Sequence, residues 1–284
     1  MYSFEVKFSE KLNKARKSLG QHFLMHARIA ERIVKTAQLP KDATVLEVGP
    51  GRGILTRELL KVVKKVIAVE VDKELFEKLQ TDFVNELKSK RLELMYGDIR
   101  NCPYFHTTVQ KWGYHIVANI PYYLTGEIFR LFLTAERQPS SMTLLVQKEV
   151  AERVVARKKK PLNSARGKES ILSLSVKAYG TPKYEFTVPR GAFKPAPKVD
   201  SAVLSVRGIS RENFAAKKEE ERFFALLHAG FAHKRKYVRK NLTEAGFSLN
   251  APQGGASGEP PLAVLAEGAR AEDLPLATWL ALCR

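Results

Sequence analysis

Thr44-Val45-Leu46-Glu47-Val48-Gly49-Pro50-Gly51-Arg52-Gly53-Ile54-Leu55-Thr56 is the stretch that decides the fold. Its first five residues read as a buried strand, because a short apolar run bounded by glycine suits a strand better than a helix. The glycines let the backbone turn tightly and come close to a ligand. From Ile54 onward, apolar side chains recur at helical spacing, so a helix opens where the loop ends. The amino end of that helix offers unsatisfied N–H groups and a partial positive charge. The loop lacks the G-x-G-x-x-G pattern of dinucleotide folds. It reads Gly-Pro-Gly-Arg-Gly with Glu47 just before it. A carboxylate there repels a pyrophosphate and suits a ligand with hydroxyls and an ammonium group.

Working outward, apolar runs at residues 44–48, 66–69, 92–96, 115–118 and 142–146 alternate with helical patterns at 54–63, 73–87 and 125–135. That alternation predicts βαβ units and a mostly parallel sheet with helices on both faces. Two more strands, near 184–188 and 202–206, flank Phe193-Lys194-Pro195-Ala196-Pro197-Lys198. Prolines there forbid a regular ladder, so the segment is a stiff loop and the flanking strands form an antiparallel edge. After Gly208 the pattern is helical, at 212–232, 237–245 and 272–282, with a Gly- and Pro-rich loop at 252–261. Glu272 and Asp273 stand at the start of the last helix, where acids complement its dipole. The fold class is therefore α/β, with a Rossmann-like sheet in a domain of residues 1–208 and a small helical domain over residues 209–284.

The 284 residues, 44% of them apolar, support a sizeable core. No run approaches the ~20 apolar residues that span a bilayer. The first residues lack the apolar stretch of a secretory signal. The two cysteines, Cys102 and Cys283, make no metal-ligand spacing and no disulfide framework, and the histidines make no such spacing either. No metal is expected, and a reducing cytoplasm fits best. Lys and Arg total 48 against 30 Asp and Glu, a net charge of +18, which favours a polyanionic partner. One basic group holds Lys11, Lys14, Arg16 and Lys17; a second holds Arg153, Arg157, Lys158, Lys159, Lys160, Arg166 and Lys168. A third runs His233-Lys234-Arg235-Lys236-Tyr237-Val238-Arg239-Lys240. Three such groups with aromatic neighbours favour RNA or DNA over a merely solvated surface.

Polar residues recur at the strand ends. Glu70 closes the second strand, 21 residues after Gly49, where an acid can accept both hydroxyls of a ribose. Asp98 ends the third strand, after Gly97, and is placed to take a donor from a purine amine. Asn119 ends the fourth and opens Asn119-Ile120-Pro121-Tyr122. Side chains at successive strand ends converge on the crevice where open α/β sheets bind ligands. Gly49, Gly51, Glu70, Asp98 and Asn119 together describe a site for S-adenosylmethionine. The amide oxygen and a backbone carbonyl of the tetrapeptide can accept hydrogen bonds from an exocyclic amine, and the tyrosine face can stack on a flat ring.

These motifs resemble those of the ribosomal RNA adenine dimethyltransferase family, over nearly the whole chain. Leu19-Gly20-Gln21-His22-Phe23-Leu24 is similar to the family's Gly-Gln-Asn-Phe-Leu segment, and residues 47–56, Glu70-Val71-Asp72, Gly97-Asp98 and Asn119-Ile120-Pro121-Tyr122 match in order. Gln147-Lys148-Glu149-Val150, residues 193–202 and the basic stretch 231–242 resemble the branch acting on small-subunit RNA rather than the antibiotic-resistance branch acting on large-subunit RNA. The resemblance implies dimethylation of the N6 amines of two adjacent adenines near the 3′ end of small-subunit RNA during ribosome assembly. The expected substrate is the immature 30S-type subunit, and the expected state is a monomer away from any membrane. It also implies cofactor contacts at His22 and Leu24. His22 stands where the family usually has Asn, and a histidine can donate to the cofactor's carboxylate. Asn119 and the Pro121 carbonyl are expected to hold the adenine amine while Tyr122 stacks on the base. Phe193 forms either a wall over the target base or a plug on the sheet edge. Lys158, Lys159, Lys160, Lys234, Arg235, Lys236, Arg239 and Lys240 are the expected RNA contacts. Two other readings are a large-subunit RNA methyltransferase and a non-catalytic RNA-binding assembly factor.

Overall fold

The computed structural model describes residues 21–101, 113–156, 168–233, 235–247, 265–266 and 268–283. Cys102, Lys11, Lys14, Arg16, Lys17, Arg157, Lys158, Lys159, Lys160, Arg166, Lys234 and the loop at 252–261 lie outside the described residues.

Among the described residues, the strands β2 (Thr44–Val48), β3 (Lys65–Glu70), β4 (Leu92–Tyr96), β5 (Tyr114–Asn119), β6 (Ser141–Gln147), β7 (Thr181–Val188) and β9 (Ser201–Arg207) form one sheet in the order β4-β3-β2-β5-β6-β9-β7. From β4 to β6 the strands are parallel, while β9 runs antiparallel to both β6 and β7. The antiparallel edge anticipated from the proline-rich loop is thus present, with β7 outermost. A second sheet of two residues per strand pairs β1 (Phe23–Leu24) with β8 (Phe193–Lys194), matching Leu24 to Phe193.

Side chains alternate across the strands, so the sheet divides two cores. Leu46, Val48, Ile67, Val69, Ile116, Ala118 and Leu144 face one side. Val45, Val66, Ala68, Val117, Leu145 and Val203 face the other. A sheet covered on both faces needs near-continuous apolar strands, which these are. Each fully buried Val, Leu or Ile contributes about 1.5–3 kcal/mol. The second face is covered by α1 (Ala27–Ala37), whose Ala30, Ile33, Val34 and Ala37 are buried, and by α2 (Ile54–Leu60). The pattern expected over 73–87 divides into α3 (Lys73–Asp82) and α4 (Val84–Lys88), because Phe83 turns inward with only 1% exposure. On the first face lie α5 (Thr125–Leu133), α6 (Lys148–Val154) and α7 (Ile171–Lys177).

Beyond β9, α8 (Lys217–Gly230), α9 (Val238–Glu244) and α10 (Leu276–Cys283) pack together around Trp279, which is fully buried. A Cβ on Gly230 would run into the Trp279 ring, so α8 and α10 approach through a bare backbone. Phe223, Leu227 and Trp279 belong to the same buried cluster as Leu46 and Ile116, so these helices continue the core of the first sheet face. The last helix starts at Leu276, later than expected. Glu272 and Asp273 sit in a separate 3-10 turn before Pro275, and the first turn of α10 carries no acid. Among the described residues no helix is long and apolar enough to cross a membrane.

Candidate cofactor and target-base site

The carboxyl ends of β2, β3 and β5 open on one cavity. Its lining includes Glu47, Gly49, Gly51 and Arg52 of the first loop, Glu70, the whole tetrapeptide Asn119 to Tyr122, and His22 and Leu24 of the amino-terminal segment. Gly49, Gly51 and Gly53 all have positive φ, at 69°, 59° and 73°, so the chain alternates through a conformation that L side chains avoid. This coils the loop so that the Gly51 N–H donates to Glu70 Oε2 at 3.0 Å.

Glu70 is 1% exposed. Its other oxygen accepts from the N–H groups of Val71 and Asp72, each at 3.0 Å. Burial pushes this carboxyl up, against the three backbone donors that pull it down. A carboxylate has about four acceptor sites, and three are taken. To accept both hydroxyls of a ribose, Glu70 must release one backbone partner; two of the three, Gly51 and Val71, line the cavity. Glu47 is as deeply buried and accepts the Thr56 hydroxyl at 2.7 Å. Burial pushes its carboxyl up to about 8, the Thr56 bond opposes this, and the Glu70 charge adds to it.

The tetrapeptide is held from behind. The Asn119 Nδ2 donates to the His22 carbonyl at 3.1 Å. A carbonyl can only accept, so this bond assigns the amide nitrogen to the His22 side and turns Oδ1 away from it. The Pro121 carbonyl accepts the Leu124 N–H at 2.9 Å, opening the 3-10 turn Tyr122–Leu124. Ile120 lines the same cavity, and its carbonyl accepts no hydrogen bond among the described residues. Tyr122 hydrogen-bonds Ser201 through its hydroxyl at 2.7 Å, and its ring lies 5.6 Å from the His22 ring at 35°. His22 Nδ1 donates to the Pro195 carbonyl at 2.7 Å. The neutral ring therefore keeps a lone pair on Nε2, and only its protonated form can donate to a carboxylate through that atom.

Two expected site residues are not brought into the cavity. Asp98 follows β4 by two residues, and its carboxylate is closed by Arg100, with Nη2 to Oδ2 at 2.6 Å and Nε to Oδ1 at 3.0 Å. Those hydrogen bonds hold the carboxyl below its usual range. Phe193 is 4% exposed and belongs to the buried cluster beside Leu24, so the structure presents it as the plug. Of the expected RNA contacts, Arg235, Arg239 and Lys240 are exposed on and before α9, while Lys236 is paired with Glu244 at 2.8 Å. Pro195 and Ser201, which hold the two rings, were not singled out in the sequence; both fall within the matched segment 193–202. Among the described residues no cluster of His, Cys, Asp and Glu can hold a metal ion.

Known proteins are similar to this chain in sequence and fold. The ribosomal RNA small subunit methyltransferase A of Dehalococcoides mccartyi is 38% identical over 276 residues, covering 95% of this chain and 88% of that protein. The crystal structure of the 23S rRNA methyltransferase ErmE superposes with a TM-score of 0.69 at 25% identity, covering 92% of this chain and 98% of that one. A dimethyladenosine transferase from Plasmodium falciparum shares the fold, with a TM-score of 0.70 at 23% identity over 92% of this chain and 96% of that one. A model of the ribosomal RNA adenine dimethylase family matches residues 12–252, and the chain belongs to that family.

Proposed function

We propose that this chain dimethylates the N6 amines of two adjacent adenines near the 3′ end of small-subunit ribosomal RNA, using S-adenosylmethionine. The observation that carries the reading is the wall formed by Asn119 and Ile120. Asn119, whose amide oxygen is turned away from its own anchor, and Ile120, whose carbonyl accepts no hydrogen bond among the described residues, line the same cavity as the glycine loop and Glu70. An adenine amine has two hydrogens to place, and these are two acceptors for them. The Pro121 carbonyl is already engaged in the turn, so Ile120 is the better second acceptor. The cavity lining also fits the cofactor, with a ribose acceptor at Glu70 beside the glycine loop.

When bound, the cofactor supplies an electrophilic methyl on a sulfonium. The protein's part is positioning. Holding both amine hydrogens rotates and pyramidalises the nitrogen, so its lone pair leaves the ring and points at the methyl group. The Tyr122 face receives the base, which must leave its stack to arrive there. RNA binding falls to the helices after Gly208, through Arg235, Lys236, Arg239 and Lys240, together with Lys234, Lys158, Lys159 and Lys160. The substrate is an immature small subunit in the cytoplasm, met by a monomer.

The test is transfer of labelled methyl groups to immature small subunits and, separately, to naked large-subunit RNA, with the products located by mass spectrometry. Two adjacent dimethyladenines in the small-subunit RNA are expected. Label on the large-subunit RNA, or none on either, overturns the reading. Asn119→Ala should lower kcat about a hundred- to a thousandfold while cofactor Kd stays within a factor of about two. Unchanged turnover would remove Asn119 from the mechanism.

A further inference from the structure

The Tyr122 ring belongs to a single 3-10 turn, a short element with little backbone restraint of its own. What fixes the far end of the ring is Ser201, whose Oγ lies 2.7 Å from the tyrosine hydroxyl. Ser201 is fully buried and does not line the cavity. It opens β9 and is paired on both sides, with Gln147 of β6 and Val188 of β7. The residue before it is tied down as well. Asp200 accepts the Lys148 N–H through its carbonyl and the Arg190 N–H through its carboxylate, both at 3.0 Å. The serine hydroxyl is therefore carried by one of the best-restrained points near the site, while the tyrosine hydroxyl has no other hydrogen-bond partner among the described residues.

We propose that Ser201 is a positioning residue for methyl transfer, acting through Tyr122 to set the plane against which the target base stacks. This rests on the stacking role given to Tyr122 above. A phenyl ring turns about its Cβ–Cγ bond and swings about its Cα–Cβ bond. A bond at the hydroxyl removes the swing. The cost of losing that restraint falls on the geometry of the reacting amine and not on the cofactor, whose loop and carboxylates Ser201 does not touch.

The test is a double-mutant cycle on methyl transfer, with cofactor saturating, using Ser201→Ala, Tyr122→Phe and the pair. Ser201→Ala is expected to lower kcat about tenfold with cofactor Kd unchanged, Tyr122→Phe to do the same, and the pair to be no worse than either alone. Ser201→Thr, which keeps the hydroxyl, should recover most of the rate. Additive losses in the pair overturn the proposal, as does a Tyr122→Phe variant with full turnover. If thermal melts show that Ser201→Ala is poorly folded, the Ser201→Thr and Tyr122→Phe pair decides: the threonine active and the phenylalanine impaired supports the proposal, and any other pattern rejects it. Tyr122→Ala separates the two levels, since full activity in that variant defeats the stacking role itself, whatever the cycle gives.

Discussion

A buried carboxyl with a hydroxyl partner and no cation beside it is costly when ionised, and Glu47 is such a group. In the folded chain it titrates near 8, in the unfolded chain at the ordinary 4.5. Between those values the native state holds a proton that the unfolded state has lost, so stability is highest in acid and falls as pH rises through the window. Thermal melts of the cofactor-free protein should show Tm declining from about pH 5 to 8, and Glu47→Gln, which cannot ionise, should flatten that decline. In a chain of this size each kcal/mol is worth about 2–4 °C. A Glu47→Gln profile as steep as that of the parent would show that the decline has another source. Glu70, equally buried, is pushed the same way by burial, with three backbone N–H groups facing its charge and opposing the shift.

At the scale of elements, the glycine loop and the break between α3 and α4 are one feature. A Cβ on Gly53 would lie 2.6 Å from Cε2 of Phe83, in addition to the strain of φ at 73°. Gly53→Ala should therefore cost about 2–4 kcal/mol, combining left-handed strain with overpacking. Gly126→Ala, in α5 with open space around it, should be neutral or stabilising by up to about 1 kcal/mol. Chemical denaturation of both variants checks the contrast in sign. The same pair of residues explains why one helix was expected over 73–87. Phe83 occupies an apolar position that fits the helical period, and what turns it inward is a contact 30 positions away in sequence. Local patterns do reach the strands. Residues 44–48 and 92–96 form strands with the expected limits, because each apolar run there is bounded by turn-forming residues. The helix at Ala27–Ala37 was not expected, although Ile29, Ala30, Ile33, Val34 and Ala37 recur at helical spacing. The two-residue pairing of β1 with β8 has no period at all, so no pattern could announce it.

For the molecule as a whole, the excess of +18 sets how it meets RNA. Affinity should fall linearly with the logarithm of salt concentration, and each neutralised phosphate contact should reduce the slope by about 0.7–0.9. Arg239→Gln should remove about that much, whereas Lys236→Gln should remove less, because Lys236 is already paired with Glu244 at 2.8 Å. Filter-binding titrations from low to high salt check this, and equal slopes for the two variants would contradict it. Tyr237, 55% exposed between these cations, offers a face on which an unpaired base can stack. The candidate site was readable in part for a topological reason: a parallel sheet delivers its strand ends to one edge, so Gly49, Glu70 and Asn119 had to converge. The ties that hold the site were not readable, since His22 to Pro195, His22 to Asn119 and Tyr122 to Ser201 join segments far apart in the chain.

The bond between His22 and Pro195 closes a span of 173 residues. On a translating ribosome, the glycine loop, Glu70 and Asn119 emerge long before the segment that holds the two rings in place. Until Pro195 and Ser201 have been made, the nascent chain has no finished cavity. Competence to act on ribosomal RNA thus arrives only with the last third of synthesis.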